Sequence, residues 1–186
     1  MTHSISSPKL NERSLPAPQP ESRSSSLPIM HLYFAAPLFS NAELQYNEAL
    51  TARIEAIGYA VYLPQRDGPE KGRPPYNILA PDVRRRTIFE TDRDHVLAAD
   101  VLLMVLDGRV PDEGACFELG VAYTQQYLTG QQKLLIGLHT DARAAFVSAK
   151  LNPMLGVPLA YIAADEEDLL ARLRLYLATG CLDDAG

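Results

Sequence analysis

The sequence predicts a single-domain α/β fold: a doubly wound parallel sheet of about five strands with helices on both faces. Three features carry that expectation. Short apolar runs alternate with helical stretches from residue 30 to residue 179, the pattern that pairs strands in parallel through helical crossovers. The run "DVLLMVL" (100–106) has no polar alternation after Asp100, as expected of a strand covered on both faces. The third feature is size, since 186 residues suit one domain with a substantial core.

Residues 1–28, "MTHSISSPKLNERSLPAPQPESRSSSLP", hold eight Ser and five Pro. That composition buries too little apolar surface to offset the entropy of ordering, so a disordered tail is expected, with the folded domain over 29–186. "MHLYFAAP" then reads as a first strand and "NAELQYNEALTARIEAIG" as an amphipathic helix ending at Gly58. "YAVYLP" is a second strand, followed by the Gly/Pro-rich loop "QRDGPEKGRPPYN" and a helical stretch from about 81 to 99. After the buried third strand, a helix is expected from about 113 to 127. "QKLLIGL" and "PLAYIA" are strands four and five, and "DEEDLLARLRLYLAT" is the closing helix. In an open sheet of this flavodoxin- or Rossmann-like kind, ligands bind beyond the carboxyl ends of the strands. That edge collects "AAPLFS", "QRDG" and "DGRVPDEG".

Composition excludes several classes of function. A net charge of −6 and a pI near 5.2 argue against a nucleic-acid binder, because phosphate neutralisation needs clustered Lys and Arg. Arg84, Arg85 and Arg86, with Glu90 one turn on, read as a solvated, ion-paired helix face. The two cysteines make neither a disulfide framework nor a metal-ligand set, which points to a reducing cytoplasm. No apolar run approaches the roughly 18 residues of a membrane span, and the N-terminus lacks the apolar segment of a signal peptide. His31, His95 and His139 show no metal spacing, and neither GxxxxGK[ST] nor a GxGxxG after the first strand occurs. No metal and no cofactor are expected.

Four acids crowd the third strand's exit: "LDGRVPDEGACFELG" contains Asp107, Asp112, Glu113 and Glu118. Glu118 falls in the second turn of the expected helix, with Gly114 at i−4 and Ala115 at i−3, so its face is stripped of bulk. Asp112 stands at the helix start, where an acid caps backbone N–H groups; cap and site residue are both open readings. Asp107 and Glu113 read as solvent-side punctuation of the turn. Cys116 points roughly 200° around the helix from Glu118 and reads as packing, not as a nucleophile with His95 as its base. Carboxylates without metal ligands or a Ser/His pair suit glycosyl transfer, one attacking the anomeric carbon and another handling a proton.

From about 31 to 154 the chain resembles the nucleoside 2-deoxyribosyltransferases. "PDEGACFELG" resembles the family's acid–x–Gly–x–x–x–Glu–x–Gly signature, supported by "YFAAPLF", by Asp92 eight residues before Asp100, and by "LNPML". The resemblance implies that Glu118 is the nucleophile, attacking C1′ of a 2′-deoxynucleoside so that a second purine or pyrimidine base can replace the first with retention. It implies that Asp92 and Asp112 hold the sugar and orient or protonate around the reacting groups. Tyr33 matches a hydroxyl implied to contact the nucleophile, and Phe39 a wall of the base pocket. Gly114 belongs to the signature. In "PQRDG" the base-reading position is occupied by Gln65, Arg66 or Asp67, with Gln65 and Asp67 taken as substrate-binding candidates. Asn152 and Met154 match a segment implied to reach into a neighbouring subunit's site, hence a homo-oligomer, dimer-based or hexameric. The implied partners are deoxynucleosides and free nucleobases, with no nucleic-acid polymer and no membrane. Two other activities stay open: hydrolysis of 2′-deoxynucleoside 5′-monophosphates, and nucleoside sensing without catalysis.

Overall fold

The computed structural model describes residues 29–69, 74–108, 110–141 and 151–183. The tail expected over 1–28 lies outside them. Five strands form one sheet: β1 (His31–Ala35), β2 (Ala60–Tyr62), β3 (Val101–Val105), β4 (Leu134–Leu138) and β5 (Tyr161–Ala163). Their spatial order is β2-β1-β3-β4-β5 and every pairing is parallel. The helices are α1 (Asn41–Ala56), α2 (Pro64–Asp67), α3 (Pro81–Ala98), α4 (Glu113–Thr129), α5 (Pro153–Gly156) and α6 (Glu166–Thr179), with a 3₁₀ turn at Tyr76–Ile78. The expected doubly wound architecture is what forms. The one-turn helices α2 and α5 were expected as loop; each begins on a proline whose fixed φ suits the first helical position.

Strand alternation splits the core in two. Leu32, Phe34, Leu103 and Ile136 face α1 and α6, where Leu50, Ile54, Leu169 and Leu173 meet them. Tyr33, Ala35, Leu102, Met104 and Leu135 face α3 and α4, where Val96, Ala115, Leu119 and Ala122 close the layer. Every residue of β3 is buried, as its unbroken apolar run requires. Burying each such Leu or Met side chain contributes about 1.5–3 kcal/mol.

Local signals set the helix ends. Ser40 and Glu43 form a reciprocal capping box at α1. Asp112 and Asp165 each accept a backbone N–H at the starts of α4 and α6. Gly130 and Gly180, with φ of +70° and +73°, end those two helices in the left-handed conformation that glycine adopts without steric cost. Asp107 corrects an expectation: it is a clamp, not solvent-side punctuation. Its carboxylate accepts the backbone N–H groups of Thr140 (2.6 Å) and Asp141 (2.9 Å), tying the exits of β3 and β4 together. Glu113 is exposed in the first turn of α4, as expected.

Candidate active site

The site lies on the α3/α4 side of the sheet, where an in-register pair of strands aims two tyrosines at one carboxylate on each of two helices. Parallel pairing sets Tyr33 of β1 opposite Tyr62 of β2. Tyr33 is fully buried, and its hydroxyl donates to Glu118 Oε1 at 2.6 Å. The Tyr62 hydroxyl donates to Asp92 Oδ1 of α3 at 3.1 Å. Asp92, Glu118 and Gly114 line a common cavity of about 250 Å³, together with Arg85, Phe89 and Phe117.

The electrostatics follow from burial. Desolvation pushes the Glu118 carboxyl up to about 7, because a low-polarity surrounding disfavours the charged form. The Tyr33 hydrogen bond works the other way, stabilising the carboxylate, while the negative charges of Asp92 and Asp112 raise the value further. Tyr33 itself is held far above the ordinary phenol range by burial and by the Glu118 and Asp92 charges, so it remains a donor. The result is a carboxyl group poised near neutrality beside a fixed O–H. That is a group able to act as nucleophile, acid or base.

Asp112 does cap α4, accepting from Ala115 N at 2.9 Å. A Cβ on residue 114 would lie 3.0 Å from Asp112 Oδ2, so glycine there keeps both the capping carboxylate and the cavity clear. Cys116 is half-buried against the α3/α4 core layer, and burial raises its thiol above the usual value. His95 is not beside it; its ring stacks on Tyr62 with centroids 3.7 Å apart.

The remaining sequence candidates stand outside the Glu118 cavity. Phe39 is 78% exposed at the entry to α1. Gln65 is buried and its amide is bonded within the chain, accepting from Asn47 Nδ2 and donating to Leu44 O. Asp67 accepts from Leu63 N and pairs with Arg66. Asn152 accepts from Met154 N at the start of α5, and Met154 is 80% exposed. Conversely, Tyr62, Phe89 and Arg85 reach the site region with no motif to mark them, and Phe117 does so from an unspecified position of the signature. Arg85 sat in what looked like a solvated charge run. Only the sheet register could have singled out Tyr62. Among the described residues, no group of three or more His, Cys, Asp or Glu is placed to hold a metal ion, and no helix is long and apolar enough to cross a membrane.

Fold and site together define an open α/β protein carrying a half-buried, desolvated glutamate in a small carboxylate-lined cavity. The model of the nucleoside 2-deoxyribosyltransferase family matches residues 32–169, and the chain belongs to that family. A conserved protein from Enterococcus faecalis V583 is 28% identical, with 79% of this chain and 98% of that chain covered and a TM-score of 0.62. The 2-deoxyribosyltransferase of Bacillus psychrosaccharolyticus is 19% identical, covering 75% and 90% of the two chains with a TM-score of 0.60. For a Leishmania mexicana 2-desoxiribosyltransferase the identity is 18%, the coverage 82% and 99%, and the TM-score 0.50. At such identities the last two establish a shared fold. A search of curated proteins returns no match.

Proposed function

We propose that this chain moves the 2-deoxyribosyl group of a 2′-deoxynucleoside onto another purine or pyrimidine base, with Glu118 as nucleophile. The observation carrying this reading is the half-buried Glu118 carboxylate, held by Tyr33 at 2.6 Å in a cavity it shares with Asp92 and Gly114. A Glu118 oxygen attacks C1′ as the C1′–N bond breaks, and the bonding electrons leave on the base nitrogen, which takes up a proton. The incoming base nitrogen then attacks C1′ of the glycosyl ester, gives up its proton and releases the carboxylate. Two inversions give net retention. Asp92 and Asp112 bind the sugar and handle the proton, and Tyr33 holds the nucleophile's rotamer. Gly114 leaves the cavity open.

The base-reading part stays with the β2–α2 segment and with Phe39, which stands exposed at the same sheet edge. Gln65 and Asp67 are both bonded within the chain, Gln65 to Asn47 and Leu44 and Asp67 to Leu63 and Arg66, so either one reads a base only by exchanging one of those partners. Asn152 and Met154, exposed on α5 and away from their own chain's cavity, are suited to donation into a neighbouring subunit of a homo-oligomer. Base exchange of this kind suits a role in deoxynucleoside salvage, and the two free cysteines suit a reducing cytoplasm.

Incubation of the purified protein with deoxyinosine and free cytosine or adenine tests the reading by chromatography. Absence of any new deoxynucleoside across several base pairs would sink it. One observation favours a second reading, hydrolysis of 2′-deoxynucleoside 5′-monophosphates: the cationic Arg85 lines the same cavity. A strong preference for deoxyguanosine monophosphate over deoxyguanosine would select that activity.

A further inference from the structure

We propose that Tyr62 is a positioning residue that fixes the Asp92 carboxylate, as Tyr33 fixes Glu118; this rests on the role proposed above for Asp92. The inference starts from the sheet. Register pairs Tyr33 with Tyr62 across β1 and β2, so both side chains leave the same face toward α3 and α4. Their rings stack, with centroids 5.5 Å apart and planes inclined by 22°. The His95 ring also stacks on Tyr62, with centroids 3.7 Å apart and planes inclined by 14°. Stacking on two rings restricts the Tyr62 ring and, with it, the position of its hydroxyl.

That position is Asp92 Oδ1, at 3.1 Å. Asp92 and His95 are three residues apart on α3, so one helix face supplies both the carboxylate that accepts the bond and the ring that holds the donor. Burial, followed by the Asp92 charge, keeps the Tyr62 hydroxyl protonated well beyond the ordinary phenol range. It therefore donates wherever Asp92 is ionised. A hydrogen bond to one carboxylate oxygen restricts rotation of the whole group, and an acid must be held in place to act on a bound sugar. The two acids of the cavity thus each have a dedicated tyrosine from adjacent strands.

Tyr62→Phe keeps the ring stack and removes only the hydroxyl. Base-exchange kinetics of the full chain are expected to show kcat/KM lower by about tenfold, as for loss of a bond to a charged group. In an Asp92→Ala background the same change is expected to alter kcat/KM by less than about twofold, because there is no carboxylate left to position. If Asp92→Ala falls below detection, the same comparison is made on dissociation constants for deoxyinosine in a Glu118→Gln background. Equal loss in both backgrounds, or no loss in the parent, overturns the proposal and leaves the transferase reading standing. A parent protein that neither binds nor turns over deoxynucleosides overturns both.

Discussion

The Tyr33 hydroxyl and the Glu118 carboxylate meet at 2.6 Å although 85 positions separate them in the chain. One comes from the third position of β1 to face α4, the other from the second turn of α4. Their bond is what keeps an otherwise desolvated carboxylate within reach of ionisation at neutral pH. Opposing influences meet on one side chain: burial raises the Glu118 value, and the tyrosine lowers it.

Removing the tyrosine hydroxyl should therefore move the acidic limb of the pH profile. In Tyr33→Phe, Glu118 loses the interaction that favours its charged form, so the limb shifts to higher pH. At pH 7, kcat/KM is expected to fall by roughly 10- to 100-fold, the scale of a hydrogen bond to a charged group. A pH–rate series on both proteins checks this, and an unmoved limb would count against the assignment.

For the unaltered protein, kcat/KM should rise with pH through about 7, where the free enzyme's Glu118 ionises. Attack on C1′ needs the carboxylate, and below that value the carboxyl is increasingly neutral. Activity that falls steadily from pH 5.5 to 8 would contradict a nucleophilic Glu118.

Stability should carry the opposite dependence on this residue. Glu118 has a folded value of about 7 against an ordinary 4.5, so between those pH values the folded protein holds a proton that the unfolded chain has released. Its contribution favours folding least above pH 7 and penalises it by on the order of 3 kcal/mol there. Glu118→Gln removes the penalty while abolishing exchange by at least about 10³-fold. Urea melts should find the variant more stable than the parent at pH 8, with the difference shrinking toward pH 5.

Gly114 offers a steric test. In Gly114→Ala the new Cβ lies against Asp112 Oδ2 and at the cavity wall, so either the cap or the opening must give. A weakened cap costs about 1 kcal/mol, and KM for the deoxynucleoside should rise by several-fold. Unchanged KM together with unchanged stability would show that residue 114 is not constrained in this way.

Much of this protein was legible in one dimension. The helix from Asn41 announces itself through its amphipathic run ending at Gly58, and β3 through five consecutive apolar residues. Glu118, Asp112 and Gly114 share one short segment, so their spacing alone puts them around one helix start. The one-turn helices α2 and α5 escaped because a single turn has no periodicity to detect. Asp107 misled for a related reason: its partners, Thr140 and Asp141, lie more than 30 positions downstream, and a lone acid in a turn looks solvated.

What the sequence determined by itself is the layered α/β fold, the acid at the start of α4 and the candidate nucleophile, since all of these rest on neighbours within a few residues. Tertiary structure alone decided which side chains face one another across the sheet. Parallel pairing of β1 with β2 brings Tyr33 and Tyr62 side by side, and packing of α3 against α4 sets Asp92, Phe89 and Arg85 around Glu118. Tertiary structure also decided the state of the nucleophile, because desolvation is a property of everything packed around a group. A glutamate in a sequence has an ordinary affinity for its proton; desolvated between α4 and α3 and against a tyrosine, Glu118 has one near 7.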